Sequence, residues 1–127
     1  MNLAIRGISN NLGAKAASSF TEDQHIDKMV DFIMANPPFN LKDWRDDNEL
    51  LQDPRWRGYE VPPVANANYA WILHMLSKLD VDHGVAGFLL ANGALNADGI
   101  EGNIRQKLLE NDKVEAIIVL PRDMFYT

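Results

Sequence analysis

Cysteine is absent from the 127 residues. Disulfides and thiolate metal sites are therefore excluded, and the redox compartment is left open. Positive charge is scarce: 12 Lys and Arg stand against 18 Asp and Glu, a formal net charge of −6. Non-specific grip on nucleic-acid phosphates by this chain alone is thereby disfavoured, and any such role needs positive charge from elsewhere. A pocket for one extruded base is not excluded. No apolar run approaches the roughly 20 residues of a membrane span. The start, "MNLAIRGISNN", lacks the charged, apolar and small-residue regions of a secretory leader. No membrane partner is expected, and the cytoplasm is the expected location. His25, His74 and His83 are scattered without ligand spacing, so no metal site is expected.

What is present suits one globular domain. Hydrophobic residues make up 46% and charged residues 24%, and the length is sufficient for a real core. "MNLAIRGI" reads as the tail of a helix or an irregular lead-in. The polar stretch that follows reads as a loop, with a short strand around Ala17–Phe20. Met29–Ala35 is short, apolar and bounded by loop signals, as in a strand buried on both faces. Asn40 to Ala65 carries Pro54, Gly58, Pro62 and Pro63 without clear periodicity and reads as a long functional loop. Over Asn66–Asp80, Tyr69, Ile72, Leu73, Leu76 and Leu79 repeat at helical spacing, with Asn66 or Asn68 able to cap the start. A strand over Val85–Leu90, a helix over Glu101–Asp112 using Ile104, Leu108 and Leu109, and a strand over Val114–Pro121 complete the order. Strands alternating with helices predict an α/β fold with a mostly parallel sheet and right-handed crossovers.

The stretch "DFIMANPPFN" carries the chemistry. In open parallel sheets, ligands bind beyond the carboxyl ends of the strands, where Asn36, Pro37, Pro38 and Phe39 fall. The prolines fix φ and remove two N–H donors. The groups left are acceptors: the Asn36 side-chain oxygen and the carbonyls of Asn36 and Pro37. Rigid acceptors beside a ring suit a planar group bearing an NH2. Such an amine is a poor nucleophile because its lone pair is delocalised. Two acceptors on its hydrogens favour the pyramidal form and stabilise positive charge as a methyl group arrives. Phe39 can stack on the ring, a contribution of about 1–3 kcal/mol for an extruded base. Asn-Pro-Pro is also a plain strand-ending turn, and four residues alone do not separate the two readings.

The wider sequence resembles a known family. "NPPF" after an apolar strand is similar to the catalytic motif of amino-group methyltransferases that use S-adenosylmethionine. "MNLAIRGI", "DFIMANPPFN", "ANANYAWILHML", "GVAGFLLANGAL", "EGNIRQKLLEND" and "VLPRDMFYT", in that order, resemble the modification subunit of type I restriction-modification systems. The resemblance implies a partial Rossmann-like methyltransferase fold, and transfer of a methyl group from S-adenosylmethionine to the N6 amine of a flipped adenine in DNA. It implies that Asn36, Pro37, Pro38 and Phe39 hold the target amine and that Asn36 also lies near the methyl donor. It implies a complex with a specificity subunit and a motor-nuclease restriction subunit, which fits the acidic net charge.

The departures shape the expectation. None of the eight glycines forms a G-x-G after a strand, the family's donor-binding motif. Ser18 and Ser19 stand where the family has an acidic residue that helps hold the donor's adenosine part. Residues 1–127 therefore read as a single partial domain, the C-terminal half of a methyltransferase catalytic domain, inactive alone and prone to self-association through unpaired strands. Two other readings stay open. The same chemistry can serve protein glutamine or RNA amines, and the chain can be a non-catalytic assembly remnant.

Other candidates receive plainer expectations. Lys42, Trp44, Arg45, Arg55, Trp56, Arg57 and Tyr59 interleave bases and rings as a nucleic-acid contact would. Asp43, Asp46, Asp47, Glu49, Asp53 and Glu60 share their segment, so a solvated, ion-paired loop or a subunit contact is expected. His74 reads as a hydrogen-bonded structural residue, Tyr69 and Trp71 as helix packing, and "ANGAL" (Ala91–Leu95) as a strand-to-loop turn on the crevice rim.

Overall fold

The computed structural model describes residues 2–121 and 124. Arg122, Asp123 and Phe125–Thr127, most of the "RDMFYT" tail, lie outside the described residues. In chain order come α1 (Asn2–Ile5), β1 (Phe32–Ala35), α2 (Asn68–Leu76), β2 (Val85–Phe88) and α3 (Gly99–Glu110). Two short 3-10 turns, Pro54–Trp56 and Asn92–Asn96, interrupt the loops. β1 and β2 pair in parallel, with Phe32 opposite Val85 and Ala35 opposite Phe88. The α/β reading therefore holds in a β-α-β unit, with α2 as the crossover.

The expected helix over Asn66–Asp80 is shorter at both ends. At its start Ala67 is the N-cap residue, and the Asn66 side chain before it accepts from the Asn68 N–H at 2.9 Å, satisfying one of the first turn's free donors. At its end the chain turns back to the sheet. Val30 N–H donates to the Lys78 carbonyl at 2.8 Å, and Asp80 N–H donates to the Val30 carbonyl at 2.9 Å. Leu79 and Asp80 are thus diverted from the helix into a parallel bridge with Val30. Gly84 makes the turn into β2. A Cβ there would lie 2.5 Å from the Asp80 carbonyl oxygen, so no larger residue fits without moving backbone.

The core is built by helices and loop together. Tyr69, Ala70 and Leu73 of α2 and Ile104 and Leu108 of α3 bury against Phe20, Trp44, Trp56 and Ala94. Leu109, expected in this set, is 52% exposed.

Four expectations are corrected. No strand forms over Ala17–Phe20. The Ser18 hydroxyl accepts from the Phe20 N–H at 3.2 Å and the Thr21 N–H at 3.4 Å, closing a turn that drives Phe20 into the core. Met29–Ala35 is not buried on both faces. Phe32 is 79% and Met34 95% exposed, and among the described residues no second helical layer covers that face. The loop from Asn40 to Ala65 is not solvated throughout, since Trp44, Arg45 and Trp56 are buried within it. Val114–Pro121 forms no strand. It is exposed, with no ladder to β1 or β2 among the described residues. Apolar composition alone does not make a strand without a neighbour to accept its hydrogen bonds.

Candidate acceptor site at the end of the first strand

The ladder between β1 and β2 runs up to the motif. Leu89 N–H donates to the Ala35 carbonyl at 3.2 Å, and Asn36 follows directly at the carboxyl end of the sheet. Of the four sequence-selected residues, Pro37 is buried, while Asn36, Pro38 and Phe39 are exposed. Phe39, at 50% exposure, keeps much of its ring free for stacking. Among the described residues the Asn36 amide is engaged by no hydrogen bond, so its oxygen can accept from an incoming amine. The structure thus keeps together the rigid acceptors and the ring that the sequence singles out.

The turn is held from behind by residues that the sequence suggests only as helix caps. Asn40 N–H donates to Asn68 Oδ1 at 3.0 Å, and Asn68 Nδ2 donates to Asn40 Oδ1 at 2.9 Å. Asn66 Nδ2 reaches the same Asn40 oxygen at 3.3 Å. Asn40 takes a positive φ of 53°, a conformation Asn tolerates better than most side chains. The chain then continues along α2, with Ala67 N–H donating to the Leu41 carbonyl at 2.9 Å. The only signal in the sequence was three asparagines clustered at the two ends of a long loop.

The second rim is also fixed. Tyr69 Oη donates to the Ala94 carbonyl at 2.8 Å, and Arg105 Nη1 donates to the Ala97 carbonyl at 2.8 Å. The 3-10 turn over Asn92–Asn96 is thereby tied to α2 and α3. "ANGAL" is a turn, as expected, and Tyr69 packs in the core. Its hydroxyl also positions this rim.

The base-and-ring loop serves as scaffold. Arg45 is buried, and its guanidinium donates to the carbonyls of Asp46 (2.8 Å), Asp47 (3.0 Å), Glu49 (3.2 Å) and Pro62 (3.1 Å). Trp44 and Trp56 donate to the Pro63 and Leu50 carbonyls. Arg55 pairs with Asp53 through two contacts of 2.7 Å and also reaches the carbonyls of Ser19 and Phe20. Burial alone would raise the Asp53 carboxyl, but the Arg55 hydrogen bonds outweigh it and hold the group below its usual value. Lys42 and Arg57 are exposed.

His74 faces Arg55, with Nδ1 3.1 Å from Nη1. Burial, and then the Arg55 charge, push its pKa from 6.5 down to about 4. The folded chain therefore holds His74 neutral where the unfolded chain protonates it. Its contribution to stability is fully present above pH 6.5 and is lost as pH falls toward 4. Because the ring retains some solvent contact, the expected loss is about 1–2 kcal/mol. Urea unfolding across that window reads it, and His74→Gln is expected to flatten the slope. An unchanged slope in the variant would place the titration elsewhere.

The remaining histidines separate. His83 sits between Asp31 and Asp80, 2.9 Å from each, a grouping hidden from the sequence because Asp31 is 52 residues away. These three could in principle share an ion, but they satisfy one another at the exposed surface. No described helix is long and apolar enough to cross a membrane.

Comparison with known proteins agrees with this geometry. The family model for N-6 DNA methylases matches residues 1–127. The chain is 48% identical over 126 residues to the type I restriction enzyme HindI methylase subunit of Haemophilus influenzae, covering 98% of this chain and 28% of that protein. It is 42% identical over 130 residues to the MjaIX methylase subunit of Methanocaldococcus jannaschii, covering 99% and 23%. A crystal structure of the type I restriction-modification methyltransferase subunit from Streptococcus thermophilus superposes with a TM-score of 0.72 at 29% identity, covering 86% of this chain and 24% of that one. The chain thus spans 28% or less of the length of these relatives.

Proposed function

Because this chain belongs to the N-6 DNA methylase family, we propose that it carries the acceptor side of an adenine-N6 methyl-transfer site in a type I methylase subunit. It corresponds to part of that subunit's catalytic domain. The observation that carries the reading is the Asn-Pro-Pro-Phe turn at the carboxyl end of β1, exposed and braced.

The four residues divide the roles. Asn36 Oδ1 and a neighbouring main-chain carbonyl accept the two hydrogens of the adenine amine, orienting its lone pair. These acceptors stabilise the positive charge that grows on nitrogen. Pro37, buried, and Pro38 hold the carbonyls without offering competing donors. Phe39 stacks on the flipped base. In the complete assembly, a specificity subunit recognises the DNA sequence and a motor-nuclease subunit acts in restriction. Those partners supply the positive charge this chain lacks.

S-adenosylmethionine supplies the methyl group in this chemistry, and none of the eight glycines of this chain forms the G-x-G after a strand by which the family's motif holds it. A donor loop needs glycines where backbone approaches ligand closely. The isolated chain is therefore expected to bind S-adenosylmethionine no tighter than millimolar, as read by isothermal titration. A micromolar dissociation constant would show that it holds the donor by itself.

The absent glycine motif also favours a second reading, a chain that only contacts partner subunits. One experiment separates the readings. These 127 residues replace the matching segment of the H. influenzae subunit, and the chimera is given methyl-labelled donor with duplex DNA, RNA and a glutamine-bearing protein in competition. Label on adenine N6 is expected. Label on protein or RNA would select the other methyltransferase classes, and no label in an assembled, donor-binding chimera would select the assembly role.

A further inference from the structure

The amide cluster behind the motif has a polarity that can be assigned without ambiguity. Asn40 N–H can only donate, so the Asn68 atom 3.0 Å away is Oδ1. Asn68 Nδ2 must then donate, and the Asn40 atom facing it at 2.9 Å is Oδ1. Asn68 is 1% exposed, and both of its side-chain groups are committed to one residue 28 positions earlier in the chain. A helix cap needs one oxygen on a nearby N–H, and Asn66 already supplies it. Asn68 is the first residue inside α2, and its amide instead reaches across to the residue next to Phe39.

We propose that Asn68 is a positioning residue for the acceptor turn: through its paired hydrogen bonds to Asn40 it fixes the Phe39 ring relative to the flipped base. This rests on the reading of Asn36–Phe39 as the acceptor site. The turn is anchored at one end by the sheet ladder at Ala35 and at the other by Asn40. Between these anchors only the two prolines are rigid. Without Asn68, Asn40 loses the partner of its N–H and one of two donors to its side chain. Its left-handed backbone, at φ 53°, then has less to hold it. Phe39, immediately before it, is free to swing. A misplacement of about 1 Å in a site of this kind can cost roughly 10²-fold in rate.

The test uses the complete chimeric subunit assembled with its specificity partner. Asn68→Leu keeps a similar volume and removes both hydrogen bonds. It is expected to slow single-turnover methylation about 10- to 100-fold while leaving donor affinity within a few fold. A 2-aminopurine at the target position, which reports stacking, is expected to lose its quenching. The double variant Asn68→Leu, Phe39→Ala is expected to be no slower than the slower single variant, because both act through the same ring. A residue that only supports the fold would give multiplying effects. Multiplying effects, or a normal rate for Asn68→Leu, overturn the proposal. If Asn68→Leu does not fold, Asn40→Gly decides. It tolerates the positive φ, keeps the backbone bond and removes only the side-chain half, so a smaller loss with the same non-additivity is expected. Asn36→Ala runs alongside, and a near-normal rate there would remove the acceptor-site reading itself rather than the role of Asn68.

Discussion

Asn36→Ala in the chimeric subunit is expected to slow methyl transfer about 10²- to 10³-fold while leaving donor affinity within a few fold. Asn36 is exposed at the carboxyl end of β1, so its truncation opens no cavity and disturbs no packing. Its effect is confined to what the amide oxygen does when charge develops on the amine. An interaction made mainly in the transition state lowers kcat and kcat/KM together. Phe39→Ala removes a ring that grips the base before reaction as well as during it. It is expected to raise KM for DNA more than it lowers kcat, with a loss of about 1–3 kcal/mol in base binding. Single-turnover and steady-state methylation of one duplex measure both. A normal rate for Asn36→Ala would take this turn out of catalysis.

The chain alone is expected to self-associate at tens of micromolar, with an apparent mass at least twice its 14.3 kDa. Among the described residues β1 and β2 form a sheet of only two strands, and beyond the single bridge of Val30 to Leu79 neither outer edge has a ladder partner. Phe32 and Met34 leave one face of it bare. Val114–Leu120 adds an apolar stretch outside any helix or strand, in which Ile117, Ile118 and Val119 are all exposed. An exposed apolar segment and an open sheet edge on one molecule are complementary to the same features on another copy. Light scattering during size-exclusion chromatography decides the matter. Charged substitutions at Ile118 and Met34, both pointing into solvent, are expected to shift the population toward monomer. A sharp monomer for the unsubstituted chain at those concentrations would contradict the edge argument.

The legible parts of this fold were those set by local pattern. The spacing of Tyr69, Leu73 and Leu76 marked α2 because an amphipathic helix announces its own period. Val85 and its neighbours marked β2, and the prolines after Ala35 marked the strand end. What was not legible depended on distant partners. Val114–Leu120 has the composition of a strand, but strand formation needs a neighbour, which composition does not report. Ser18 and Phe20 had the composition for a strand, yet the hydroxyl's bonds to nearby N–H groups closed a turn instead. Arg45 sits among acidic residues that suggested surface ion pairs, and its guanidinium went inward to four carbonyls. Asn68 pairs with Asn40 only because the long loop returns, a closure no local signal encodes.

Mass spectrometry of duplex DNA after incubation with donor and the chimeric subunit asks most directly whether these 127 residues hold the target amine. In the chimera the H. influenzae portion is expected to bind the donor, and this chain to present the Asn36–Phe39 turn. N6-methyladenine at the subunit's recognition site, lost on Asn36→Ala, is the expected result. An assembled chimera that binds donor and DNA but forms no N6-methyladenine would contradict the assignment of Asn36–Phe39 as the acceptor site.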